Sequence, residues 1–287
     1  MHRSSAEVAL SIIRHKTFWM RKTSTMNDFM EVEHGAQCIE AALRSSAGVR
    51  LKDALNEIST SIFQRADDEF FNGWQPAFRY GTYLACVSEH LPSEDKIGRL
   101  SMWRAYGGNA GVALVLKNDA FVSESDALKI YTSPVEYLDK EGYEELLAEV
   151  ASNVEKNLSS LRSIDPNDIY SHLFHMLRFS MLSSKHPGFL EEKEWRVIYT
   201  PDYDRSEVVA LEVEVVKGIP QLVAKVPLND RPEEGLVGMS LEHIIDRIII
   251  GPCDTPYVIH EALVSEMQVA GIQNAEEKVV ISSIPLR

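Results

Sequence analysis

The feature that most constrains this chain is residues 81–117, where two short apolar runs flank a helical, glycine-bearing connection. Tyr83, Leu84, Ala85, Cys86 and Val87 form a run long enough for a buried strand, which ends on the polar Ser88-Glu89-His90. Residues 112–116 are equally apolar and are entered through Gly107, Gly108 and Gly111. Between the runs, Met102, Trp103 and Tyr106 lie at helical spacing and share one face. An aromatic face beside glycines and a strand-end serine suits a pocket for a flat, polar ligand. The same residue types also build ordinary cores, which is their commoner fate.

The rest of the chain alternates between the two periodicities. Residues 1–15 read as an amphipathic helix on Val8, Leu10, Ile12 and Ile13, followed by a strand over 17–22 and a polar turn over 24–28. A helix is predicted over 35–44 and a second on Leu51, Leu55, Ile58, Ile62 and Phe63. A strand over 130–137 precedes a long helix on Tyr143, Leu146, Leu147, Val150, Val154, Leu158 and Leu161. Pro166 after Asp165 suits the first position of a further helix. Strands are then predicted over 194–199, 208–215, 222–226 and 244–250, a helix over 256–270 and a last strand over 279–284. With no repeat or linker composition, residues 1–287 read as one α+β domain. Its predicted core is a mixed, mainly antiparallel sheet, with a helical insertion at about 139–184.

Bulk chemistry excludes several classes. A net charge of −14 argues against holding DNA by general electrostatics. The strip Arg14, His15, Lys16, Arg21 and Lys22 keeps RNA open as a substrate. Three cysteines without CxxC spacing indicate neither a disulfide framework nor a zinc site, and Cys86 and Cys253 read as buried thiols. No apolar run approaches the roughly 18 residues of a bilayer span, and no signal-peptide core opens the chain, so a cytoplasmic protein without membrane contact is expected. His172 and His175 lack acidic neighbours to complete a metal set. Gly107 to Gly111 precede a strand and not a helix, unlike a phosphate-binding loop.

Several short segments, in order, resemble the bacterial family DUF2971. They are Met26-Asn27-Asp28 with Glu31; Cys86-Val87-Ser88-Glu89; and Ser101-Met102-Trp103-Arg104-Ala105-Tyr106 with Gly111. Later come Lys185, Glu191-Glu192-Lys193-Glu194-Trp195-Arg196, Ile249-Ile250-Gly251-Pro252 and Ser283-Ile284-Pro285-Leu286-Arg287. Phe29 departs from the family, which often has proline there. The resemblance implies an ADP-ribosyltransferase-like fold and an association with anti-phage defence.

Cleaving the nicotinamide–ribose bond of NAD creates an oxocarbenium-like centre, as glycoside hydrolysis does. It calls for a carboxylate, a cation near the pyrophosphate, an aromatic wall and a small polar residue at a strand end. Under the resemblance, Glu194 is the carboxylate and Glu192, two residues earlier, completes a Glu-x-Glu motif; a solvated strand entry is the plainer reading. Ser88 orients the nicotinamide side or simply caps a turn. Arg21 meets the pyrophosphate or the nicotinamide ribose, or is an exposed arginine. Trp103 and Tyr106 wall the pocket or pack in the core. Asn27 and Asp28 brace a loop, and Arg196 pairs with Glu89 or Asp28. The expected protein is an NAD-dependent ADP-ribosyltransferase-like toxin or effector acting on a protein or RNA acceptor, with an antitoxin or other defence-system partner. With water as acceptor it is an NAD glycohydrolase. The alternatives are a catalytically inactive sensor or scaffold binding a nucleotide or phage protein, and a nuclease, for which no metal cluster is evident.

Overall fold

The two apolar runs of the central stretch are both strands, and they belong to different sheets. The computed structural model describes residues 1–25, 29–118, 125–216 and 218–285. In chain order the strands are β1 (His2–Ser5), β2 (Thr17–Lys22), β3 (Tyr83–Ser88), β4 (Gly111–Leu116), β5 (Tyr131–Pro134), β6 (Glu136–Tyr137), β7 (Ser184–Lys185), β8 (Glu194–Tyr199), β9 (Ala210–Val216), β10 (Ile219–Pro227), β11 (Ile245–Ile250) and β12 (Val279–Ile281). A six-stranded sheet runs β5-β8-β3-β2-β10-β9, antiparallel at each junction. A four-stranded sheet runs β1-β4-β11-β12 and is antiparallel except between β11 and β12. A short parallel pair joins β6 to β7. The architecture is α+β with antiparallel pairing dominant.

Period-two alternation divides the six-stranded sheet between two cores. Tyr83 and Ala85 of β3 and Val197 and Tyr199 of β8 join Val112, Leu114, Ile248 and Ile250 of the smaller sheet in one buried cluster. On the opposite face Leu84 and Ile198 join a second cluster with the helices. Those helices include Phe29–Arg44, Ser46–Asn56, Lys140–Lys156 and Pro166–Leu182. Gly35 lets the first approach the last closely: a Cβ there would lie 2.4 Å from the Met181 carbonyl oxygen. Asp165 caps the Pro166 helix by accepting from the Asn167 N–H at 2.8 Å, as its sequence predicts. Arg178, on the same helix, is fully buried with its guanidinium 4.6 Å from the Tyr203 ring centre and 4.8 Å from that of Tyr131.

Some boundaries differ from expectation. The first helix starts at Ala6, with Ser5 as its cap, because residues 2–5 form β1 along the open edge of β4. The helix expected on Leu51 to Phe63 is two, Ser46–Asn56 and Ile62–Asp67. The strand expected over 130–137 is interrupted between Pro134 and Glu136, where Val135 N–H turns to the Glu194 carbonyl at 2.9 Å. Cys38 is the buried thiol, whereas Cys86 and Cys253 are half-buried. Among the described residues no helix is long and apolar enough to cross a membrane.

Candidate functional site

Where β3 pairs with β8, Ser88 stands opposite Glu194 and Cys86 opposite Arg196. Residues two apart on a strand share a face, so these four side chains project to the side that carries Leu84 and Ile198. At this end the helical core gives way to a pocket of about 70 Å³, lined by Arg3, Cys86, Ser88, Tyr106, Glu192 and Glu194 with Met1 and Met102. The pocket sits at the seam of the two sheets: Ser88 N–H donates to the Met1 carbonyl at 2.8 Å, tying β3 to the start of β1. Arg99 fastens the rim, donating to Glu94 Oε1 at 2.8 Å and to the Glu191 carbonyl at 2.7 Å.

Glu192 arrives differently from Glu194. It ends a 3₁₀ turn, Pro187–Glu192, and Lys193 takes a left-handed conformation (φ 44°) before β8 begins. The Glu-x-Glu motif therefore straddles a turn and a strand, and the turn, not strand alternation, brings the second carboxylate to the pocket.

A buried ionic network lies behind the carboxylates. Lys185 Nζ lies 2.8 Å from Glu31 Oε1, 2.6 Å from Glu192 Oε2 and 3.1 Å from Glu194 Oε2. Arg196 Nε donates to Glu194 Oε1 at 3.0 Å, its Nη1 to the Leu182 carbonyl at 2.5 Å, and its Nη2 to Glu31. Tyr106 Oη donates to Glu192 Oε1 at 2.6 Å. Lys185 and Arg196 are each at most 1% exposed and Glu194 6%. Charges so deep persist only when paired.

These pairings fix the charge states. Burial alone would raise the Glu194 carboxyl, but Arg196 and Lys185, with a bond from the Cys86 thiol, outweigh it and hold the group down at about 2. Burial would likewise discharge Lys185, yet Glu194 and Glu31 keep it protonated far above neutrality. Arg196 is held charged in the same way, against burial, by Glu194. Glu194 is thus a permanent anion, suited to stabilising a developing cation and not to exchanging protons near neutral pH.

Arg3 is the exception. Its three guanidinium nitrogens are inaccessible to solvent and have no hydrogen-bond partner. Burial and the neighbouring Arg99 push its pKa down to about 10, against the pull of Glu94, Tyr106 and Glu192. An unsatisfied guanidinium on a pocket wall is a donor set without an acceptor.

The structure therefore brings Ser88, Glu192, Glu194 and Tyr106 to one pocket, with Arg196 bonded behind Glu194. Two residues expected there lie elsewhere. Arg21 stands on β2 opposite Leu84, with Nε on Gln221 Oε1 at 3.1 Å and Nη2 on the Thr25 carbonyl. Trp103 is core: it is 6% exposed, donates to the Ile97 carbonyl at 2.9 Å and lies under Gly98 and Gly251. A Cβ on either glycine would sit under 3 Å from the indole. The helix Leu100–Tyr106 thus splits the expected aromatic wall, turning Met102 and Tyr106 to the pocket and Trp103 away. Arg196 pairs with Glu31 and Glu194, whereas Glu89 accepts from Trp195 Nε1 at 3.4 Å. Asn27 and Asp28 lie outside the described residues.

Sequence reasoning assigned no role to Arg3, Lys185 or Glu31. Arg3 carried no signal beyond its charge, because its strand was read as helix. Lys185 and Glu31 stand among the residues that carry the family resemblance, but nothing in their spacing gives them a chemical role. Among the described residues, no group of three His, Cys, Asp or Glu side chains is placed to hold a metal.

One family match bears on this region. A family described as "Protein of unknown function (DUF2971)" matches residues 102–197, a range that includes Tyr106, Glu192 and Glu194 of the pocket and Lys185 and Arg196 behind it. Neither the curated proteins nor the solved structures contain a match.

Proposed function

We propose, from the DUF2971 match over residues 102–197 and the geometry of the pocket, that the protein is an NAD-dependent ADP-ribosyltransferase-like enzyme. The observation that carries the reading is the meeting of Ser88, Glu192 and Glu194 with an acceptor-free guanidinium, Arg3, in one pocket. In this scheme the C1′–N bond of NAD breaks with its electron pair leaving on nicotinamide. The ribosyl cation so formed faces the Glu194 carboxylate, which Arg196 and Lys185 keep ionised. The acceptor attacks C1′ and releases its proton to solvent, with Glu192, fixed by Tyr106 and Lys185, as the group that orients it. Arg3 takes the cationic position assigned from sequence to Arg21: its charge favours a phosphate at the pocket, and its nitrogens, inaccessible in this conformation, would reach the phosphate after a side-chain rotation. A volume of about 70 Å³ holds one small polar fragment of the ligand, so most of a dinucleotide would lie outside the pocket. The acceptor is a protein or RNA; water in its place makes the protein an NAD glycohydrolase. The ADP-ribosyltransferase-like fold and a role in phage defence, with an antitoxin or other partner, belong to the same proposal.

One observation favours a second reading, a catalytically inactive sensor that binds a nucleotide or a phage protein. Both Glu194 oxygens are already engaged, Oε1 by Arg196 and Oε2 by Lys185. Incubating pure protein with NAD and candidate acceptors and measuring nicotinamide separates the two. The enzyme reading expects release by the native chain and a loss of about 100-fold or more in Glu194→Gln, with NAD affinity retained. Native-like turnover in that variant removes Glu194 from the mechanism. Binding without turnover favours the sensor, and failure to bind NAD at all ends both nucleotide readings.

A further inference from the structure

Behind β3 and β8, on the face opposite the polar pocket, lies a cavity of about 130 Å³ between the two sheets. Its walls include Ile12 of the first helix, Val87 of β3, Leu114 of β4, Val197 of β8, Val226 of β10 and Ile245 of β11. None of the described lining residues is charged, and the polar ones, Ser125 and Thr132, contribute only hydroxyls. Protein interiors are packed to the density of organic crystals and leave few voids larger than a water molecule. This space is larger than such a void and reaches the surface past the partly buried Phe18, Leu116, Leu128 and Ile130.

We propose that this cavity is a binding site for one small, uncharged, mainly apolar molecule carrying a single hydroxyl or carbonyl, of the size of a substituted benzene ring. Size sets the scale: an apolar cavity of about 150 Å³ in another protein stays dry and takes up benzene. Charge sets the class, since no described lining residue offers a counter-ion to a carboxylate or ammonium group. Thr132 supplies the hydroxyl that an otherwise apolar ligand with one polar atom would use, since the Ser125 hydroxyl donates to the Glu234 carbonyl and accepts from the Ala127 N–H. The site is independent of the NAD reading, although Val87 sits between Cys86 and Ser88, so an occupant would touch the back of a strand whose front lines the polar pocket.

The test uses the native chain with 4-fluorophenol, fluorobenzene and 4-fluorobenzoate, each followed by fluorine NMR and by thermal unfolding. The site predicts saturable one-to-one binding of the first two, with the phenol at least threefold tighter, a rise in unfolding temperature with ligand concentration, and no binding of the benzoate. Methyl shifts should concentrate at Leu114, Val197 and Ile245. Val226→Phe fills the cavity and should weaken phenol binding at least tenfold; should it not fold, Leu116→Phe at the partly buried rim serves instead. Absence of saturable binding, methyl shifts centred elsewhere, benzoate binding as tight as fluorobenzene, or undiminished binding in a folded filled variant would each overturn the proposal.

Discussion

On the front of β3 and β8, Cys86, Ser88, Glu194 and Arg196 stand among ions; on the back of the same strands, Val87 and Val197 wall an apolar cavity. The backbone between is shared, so the contrast comes from side chains alone. At the front, each buried charge depends on a specific partner. At the back, any well-shaped apolar group is acceptable. The front should therefore be intolerant of single substitutions and sensitive to pH, and the back tolerant and indifferent to pH.

The sharpest way to break that comparison is to remove one side chain from each face. Arg196→Met leaves Glu194 and Glu31 without their shared guanidinium and should cost about 3–5 kcal/mol of stability. Val197→Ala, one residue along, should cost about 2 kcal/mol. Urea unfolding of both variants decides it: an equal or greater loss from Val197→Ala would show that the ionic network is dispensable.

Acidification probes the same contrast without mutation. The Glu194 pKa is depressed when folded, from 4.5 to about 2, so the unfolded chain binds the extra proton between those values and stability falls as pH drops through that window. His2, packed edge-on against Phe18, is pushed by burial from 6.5 to about 4. The unfolded chain again binds more protons, here between pH 6.5 and 4, so stability also falls on acidification across that range. The urea midpoint should decline in two stages from neutral pH, and His2→Phe should flatten only the upper one. A midpoint that holds level from pH 6.5 down to 3 would contradict both assignments.

Smaller effects sharpen the picture. Arg3→Met removes a buried guanidinium with no acceptor and should raise stability by about 1 kcal/mol while weakening binding of an NAD-type phosphate at least tenfold. Calorimetry and thermal unfolding together test it, since a guanidinium with a purely structural role would lose stability on the same change. Tyr106→Phe removes one hydrogen bond to Glu192 at a half-exposed position and should cost about 1 kcal/mol or less. A larger loss in urea unfolding would mean that Tyr106 holds the carboxylate more firmly than its exposure implies.

Much of the scaffold was legible in the chain. Residues 17–22 and 194–199 are strands over the range their composition predicts, and Pro166 opens its helix as expected. Ser88 and Glu194 could be placed at strand ends for the same reason: burial along one element leaves a period in the sequence. Glu192 was harder, because its position depends on the left-handed Lys193, which no pattern announces. Trp103 and Tyr106 share a helical face by spacing, but which of them meets the pocket depends on Gly98 and Gly251 closing over the indole.

The chain by itself determined where most of the strands and helices form, which faces are apolar, and that Ser88 and Glu194 would sit at strand ends. Only the tertiary structure decided which cations serve them, placing Arg3 at the pocket wall, Lys185 and Arg196 behind the carboxylates, and Arg21 elsewhere. The reason is range. Side-chain periodicity records contacts within one element, whereas Coulomb attraction and hydrogen bonding act through space, here between Glu31 and Arg196, 165 residues apart.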